Sequence, residues 1–146
     1  MIRYLLLALF ICLNGYCLFF LYKKYARPFL MKAFPASIPV TIVLIFGLGF
    51  LIKLLRIPMT YHISQALISA MMSLIVIAMI NFANQLFSYM VDLMVGFHQK
   101  NNVANIGRQP IKFFIVNQVG SKQGATLIWF LGSVLMLYGI WLGNVR

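Results

Sequence analysis

Long apolar runs without a charged residue alternate along the chain with short segments that carry most of the Lys and Arg residues. A bilayer crossing takes about 20 predominantly apolar residues, so such runs predict membrane-spanning helices. The charge-free runs are Tyr4 to Tyr22, Pro39 to Ile52, Ile63 to Val91 and Ala125 to Leu142. We therefore predict an all-α fold, an integral membrane bundle of four transmembrane helices.

The second run is the shortest and needs help from its flanks. It spans a bilayer only if Lys53 and Arg56 extend their charged ends toward the interface and the helix continues to Ile57. Gly47 and Gly49 make this helix a candidate for close contact with a neighbour. The predicted spans are about 4–22, 39–57, 63–91 and 125–142, in a single transmembrane domain that leaves no room for a second folded one.

Three connections join the spans. Arg27 and Pro28 are expected to end the first helix, and a basic loop is expected to follow as far as Pro39. The longest connection, Met94 to Gly124, contains an apolar stretch, Ile111 to Val119, for which an interfacial segment and a plain loop are both open.

The first and the last span each allow one further prediction. The first span is too long and ends in residues too bulky for a cleaved secretory signal, so we expect it to stay in the protein. Trp129 and Trp141, near the ends of the last span, are expected to act as interface anchors.

Charge distribution predicts how the chain is threaded. The chain has 12 Lys and Arg, one acid and a net charge of +11. One side of the predicted bundle has four bases, Arg3, Lys53, Arg56 and Arg146; the other has eight, Lys23, Lys24, Arg27, Lys32, Lys100, Arg108, Lys112 and Lys122. The excess of positive loops in the cytoplasm predicts a multi-pass protein with the first and third connections inside and both termini outside; in a bacterium this is the inner membrane, with both ends facing the periplasm or the cell exterior. Anionic lipid headgroups are the expected counter-charge, and nucleic acid is not an expected partner.

A polar stripe distinguishes the third span from the others. Its members recur at intervals of three, four or eight residues and therefore lie on one helix face. They are Ser69, Ser73, Asn81, Asn84, Gln85, Ser88 and Asp92. Side-chain amides inside a bilayer need partners, so this face should point into the bundle, with Asn14 of the first helix within reach. Three interpretations are open: helix packing, a path for solute or ion, and an interface with a partner subunit.

Candidate chemistry is sparse. Asp92, the only carboxylate, is expected to form an ion pair with a loop base such as Lys23 or Lys100. His62 and His98 lie at opposite ends of the third span, and Cys12 and Cys17 point away from each other, so we predict no metal, no cofactor and no disulfide. No Ser or Cys has a His and an acid arranged to activate it, and we expect no enzyme activity from this chain by itself.

A few short motifs carry a family resemblance. They are Asn14-Gly15-Tyr16 followed by Tyr22-Lys23, Val91-Asp92-Leu93 at the end of a span, and Tyr138-Gly139 before Asn144. In this layout the chain resembles the N-terminal membrane region of bacterial transmembrane metallophosphoesterases. The resemblance implies a membrane anchor whose catalytic domain would begin just past Arg146, or which lacks its enzyme through truncation, a split gene or divergence. That family's Asp-x-His, Gly-Asp-x-x-Asp and Gly-Asn-His-Asp/Glu metal ligands have no counterpart here, so no catalytic residue is carried over.

Three functions follow from these observations. The first is a non-catalytic membrane anchor of metallophosphoesterase type, with a separate catalytic domain as partner. The second is an accessory subunit of a larger membrane complex. The third is a small transporter or channel in which Asn81, Gln85 and Asp92 line the path.

Overall fold

A computed structural model describes residues 2–56, 58 and 60–143 of the chain. Ile57, Asn144 and Arg146, which enter the expectations above, lie outside these residues. The helices are α1 (Ile2–Tyr16), α2 (Tyr22–Lys24), α3 (Arg27–Leu54), α4 (Tyr61–Asn101), α5 (Ile111–Val116) and α6 (Gln118–Leu142). A π-helical turn, Cys17–Leu21, joins α1 to α2, and a 3₁₀ turn, Val103–Asn105, follows α4. The described part of the chain contains no strand, and four helices are long and apolar enough to cross a membrane, which confirms the all-α fold class.

The segment expected to be a basic loop is helical, and that expectation was wrong. Pro28 does not extend the first helix, but it fits the first turn of the next one, where its missing N–H has no intrahelical partner to lose. Pro35 and Pro39 then lie inside α3, where helices of membrane type tolerate proline better than soluble ones do. The Ser37 hydroxyl donates to the Phe34 carbonyl at 2.6 Å between them. As a result, only Tyr25 and Ala26 separate α2 from α3.

Helix α4 is much longer than a perpendicular crossing requires. Its 41 residues correspond to about 61 Å at 1.5 Å per residue. The stretch from Gln65 to Asp92 alone is roughly 40 Å long, close to the thickness of a bilayer with its headgroup regions. The helix continues past Asp92 for more than two turns before it ends at Asn101, within the Asn-rich segment predicted to break it.

The four long helices do not pack equally. Helices α1, α4 and α6 enclose one apolar cluster, made of Leu7, Phe10, Ile77, Leu137 and Trp141. Helix α3 packs mainly against α4, and its buried side chains, Leu30 and Phe34, lie in its first two turns. A methyl group added at Gly47 or Gly49 would meet no described atom of another helix within 4 Å, so the close helix contact expected there is not present among the described residues.

The connection between α4 and α6 contains a short helix. Helix α5 covers most of the apolar stretch for which an interfacial segment and a loop were both open. A single residue, Asn117, separates α5 from α6. Helix α6 begins at Gln118, seven residues earlier than the predicted span, and so brings Gln118 and Lys122 onto a regular helix.

Candidate functional site

The polar stripe of α4 lies on the side that packs against α1 and α6. Ser73, Asn81, Asn84 and Gln85 are buried, and Ser88 and Asp92 are half-buried. The stripe is divided into three layers by depth, and each layer has different partners.

The middle layer is a hydrogen-bonded triad from three helices. The Asn81 amide donates to Oδ1 of Asn14 at 3.1 Å and to the Ile77 carbonyl at 2.8 Å. The Asn14 amide donates to Oγ of Ser133 at 2.6 Å, and that hydroxyl donates to the Phe130 carbonyl at 2.6 Å. Asn14 is 0% exposed, so these bonds satisfy polar groups that have no access to water. The reach from Asn14 to the stripe is therefore confirmed.

The layer nearest the start of α4 is built around Trp141. Its indole N–H donates to Oγ of Ser73 at 2.9 Å, and its ring stacks on Phe10 with 5.7 Å between centroids. Trp141 is 4% exposed, so the expectation of an interface anchor was wrong for this residue. The indole lies inside the bundle because Ser73 offers its N–H a partner there. Nearby, the Arg3 guanidinium donates to Oε1 of Gln65 at 2.7 Å and marks the end of the bundle, which we call the Arg3 end.

The third layer, at the other end of the bundle, is centred on Asp92. Arg27 from the first turn of α3 binds Oδ2 of this carboxylate, and Lys122 from α6 binds Oδ1. The Gln118 amide also donates to Oδ1. Asp92 thus joins three helices, and we call this region the basic end.

The expected ion pair of Asp92 with a base of the first or third connection is confirmed, but its partners are Arg27 and Lys122 and not the two named examples, Lys23 and Lys100. Lys100 lies on α4 itself, two turns further along, about 12 Å away along the axis. Lys23 is exposed, and its ammonium lies 5.9 Å from the centre of the Phe20 ring. Arg27 and Lys122 reach Asp92 because α3 and α6 both begin earlier than the sequence indicated.

Beside the Asp92 layer lies a cavity of about 760 Å³, which we call the basic cavity. Its wall combines cations with side-chain amides and hydroxyls: Lys23, Arg27, Lys122, Asn84, Gln85, Ser88, Gln123 and Thr126. Three aromatic residues complete it: Phe19, Phe20 and Tyr25. The Thr126 hydroxyl, whose single hydrogen is shared between two acceptors, lies 3.1 Å from Oδ1 of Asn84 and 2.9 Å from the Lys122 carbonyl.

Sequence reasoning missed the α6 residues that pair with the stripe. Gln118, Lys122, Thr126 and Ser133 lie on one face of α6, four or seven residues apart, and Leu137 and Trp141 continue that face. The same spacing rule that identified the α4 stripe would have found this second one. It went unnoticed because α6 was expected to begin only at Ala125.

Within residues 2–56, 58 and 60–143, no three His, Cys, Asp or Glu side chains come close enough together to hold a metal ion. His62 and His98 lie at opposite ends of α4.

No protein-family model, curated protein or solved structure matches this chain. The resemblance to metallophosphoesterase membrane regions therefore stays a prediction.

Proposed function

We propose that this chain is a non-catalytic bacterial inner-membrane domain that anchors a metallophosphoesterase-like catalytic domain. The anchor role is supported by the hydrogen bonds of the buried polar stripe, which join α4 to α1 and α6. Asn81 and Ser73 bond to side chains of α1 and α6, and the apolar cluster around Leu137 lies between their layers. A stripe whose polar groups join helices favours a packing function over a continuous polar path.

The anchor role also fits the distribution of charge. The basic end holds Lys23, Arg27 and Lys122, and the cytoplasmic excess of basic residues favours placing it inside. Both termini then face the outside, and a domain following the last helix would act in the periplasm. Reporters after Arg146 and between Asn101 and Gly107 should be active in opposite compartments, whereas activity in the same compartment would contradict this threading.

Capture of the tagged chain from its native membranes tests the catalytic partner. The anchor role predicts that mass spectrometry finds the three metal-ligand motifs of metallophosphoesterases in the captured material. They would lie in a longer form of this chain or in a stoichiometric partner. The captured material should hydrolyse a chromogenic phosphate ester with added Mn²⁺. A stoichiometric partner without these motifs would favour an accessory subunit instead.

The transport alternative has its own test. Replacement Asp92→Asn in liposomes should leave ion and solute flux at the background of empty vesicles, as in the unmodified chain. Flux that depends on Asp92 would contradict the anchor role.

A further inference from the structure

We propose that the basic cavity binds one anionic glycerophospholipid, with its phosphate at the cations and its ester carbonyls at the amides of α4. The inference goes beyond the anchor role and rests only on the basic end lying at a membrane surface.

The net positive charge of the cavity wall favours an anionic ligand. Lys23, Arg27 and Lys122 line the cavity, and Asp92 neutralises one of these three positive charges. Since Asp92 is the only acid in the chain, the other two charges have no internal counter-charge anywhere in the sequence. An external anion at this place is stabilised by both.

The Gln85 amide offers a hydrogen-bond donor to a ligand in the cavity. Gln85 is 6% exposed as a whole residue and lines the cavity, and its amide takes part in none of the side-chain hydrogen bonds between described residues. Among the described residues, Oγ of Ser121 is the fully buried side-chain atom without a partner, so the Gln85 amide opens into the cavity, where a ligand acceptor could bind it. Asn84 beside it contacts the Thr126 hydroxyl through Oδ1, and its N–H donors take no part in that contact.

The groups that line the cavity follow the same order of depth as the parts of a glycerophospholipid. Gln85 lies about 10 Å below Asp92 along α4, toward the centre of the bundle. In a glycerophospholipid the ester carbonyls, which are acceptors only, lie deeper in the bilayer than the phosphate, and the acyl chains lie deeper still. Cations at the rim, amide donors below them, and Phe19, whose ring packs against Phe130 of α6, follow the same order. A free phosphate would match only the rim.

The test is native mass spectrometry of the full chain in mild detergent, titrated with diester phosphatidylglycerol, its diether analogue, phosphatidylcholine or inorganic phosphate. We expect one molecule of the diester phosphatidylglycerol to bind, several-fold tighter than phosphatidylcholine. The diether should bind about two- to tenfold more weakly, since it lacks the carbonyls that accept from Gln85. Equal binding of all lipids, or binding of inorganic phosphate without a preference for lipid, would overturn the proposal.

Two variants locate the site. Lys23→Gln should weaken phosphatidylglycerol binding about fivefold, whereas Lys24→Gln is a matched control, because Lys24 has the same charge one residue away but does not line the cavity. Gln85→Leu should abolish the difference between diester and diether. An equal loss in both lysine variants, or a diester preference that survives Gln85→Leu, would contradict the site. The lipid comparison on the unmodified chain stands even if a variant fails to fold, and none of these results depends on the presence of a catalytic partner.

Discussion

The bundle consists of two regions that are held together differently. Helices α1, α4 and α6 share buried hydrogen bonds, a stacked aromatic pair and one apolar cluster. Helix α3 packs against α4, with its buried side chains, Leu30 and Phe34, near the basic end where Arg27 pairs with Asp92; its later half exposes most of its large apolar side chains. A cavity of about 610 Å³ lies between that half and α4. Every long helix here is apolar enough to prefer lipid, so the buried hydrogen bonds distinguish α1, α4 and α6 from α3, whose ion pair with α4 is partly exposed.

The largest expected effect is in the core, at Trp141. Trp141→Ala removes the buried ring from Phe10 and Ser73, and we expect it to lower the free energy of unfolding by about 3 kcal/mol. Titration with sodium dodecyl sulfate in mixed micelles measures this. Tyr138→Ala on the same helix is the control, because Tyr138 is largely exposed, and it should cost less than about 0.5 kcal/mol. Equal losses would remove the distinction between core and surface on α6.

The second largest effect is expected at Asp92, whose ion pair with Arg27 joins α4 to α3. Asp92→Asn leaves Arg27 and Lys122 without a counter-charge, and we expect a loss of about 2 kcal/mol by the same titration. The value is below that of a fully buried pair because all three side chains are partly exposed. Lys100→Gln is the control and should have almost no effect. A comparable loss of unfolding free energy from Lys100→Gln would indicate that Lys100 is a partner of Asp92, as the sequence suggested.

A smaller effect concerns the middle layer of the core. A double-mutant cycle with Asn14→Leu and Asn81→Leu should give a coupling energy of about 0.6 kcal/mol, and at most about 1.7 kcal/mol, the range of hydrogen bonds between helices in lipid. The same cycle between Asn14 and Gln65, which lie in different layers, should give no coupling. Additive losses at Asn14 and Asn81 would mean that their bond does not stabilise the core.

The smallest effect is expected on the later half of α3. Val43 is 69% exposed, and Val43→Ala should change the free energy of unfolding by less than about 0.5 kcal/mol. Leu30→Ala, in the buried first part of the same helix, is the matched comparison and should cost at least about 2 kcal/mol. Similar losses at the two positions would show that α3 is held along its whole length.

Apolar runs were sufficient to predict the fold class and the number of long helices. Their bounds were less accessible, because a proline that stops one helix can also begin the next, as Pro28 does. The early starts of α3 and α6 then explain why Arg27 and Lys122 were missed as partners of Asp92. Periodicity located the α4 stripe, but a one-dimensional pattern does not tell which layer meets which helix. Trp141 shows the limit: its position near a helix end suggested an interface, and its bond to Ser73 placed it inside.

Distances between spin labels in nanodiscs test the central claim, that the position of α3 depends on Asp92 while the packing of α1 against α6 does not. Labels at Val43 and Met79 report α3 against α4, and labels at Leu9 and Leu135 report α1 against α6; all four positions are exposed. Cys12 and Cys17 are replaced by Ala beforehand so that only the chosen sites are labelled.

We expect Asp92→Asn to broaden the Val43–Met79 distance distribution and to leave the Leu9–Leu135 distribution unchanged. An unchanged α3–α4 distribution, or equal broadening of both pairs, would contradict this expectation.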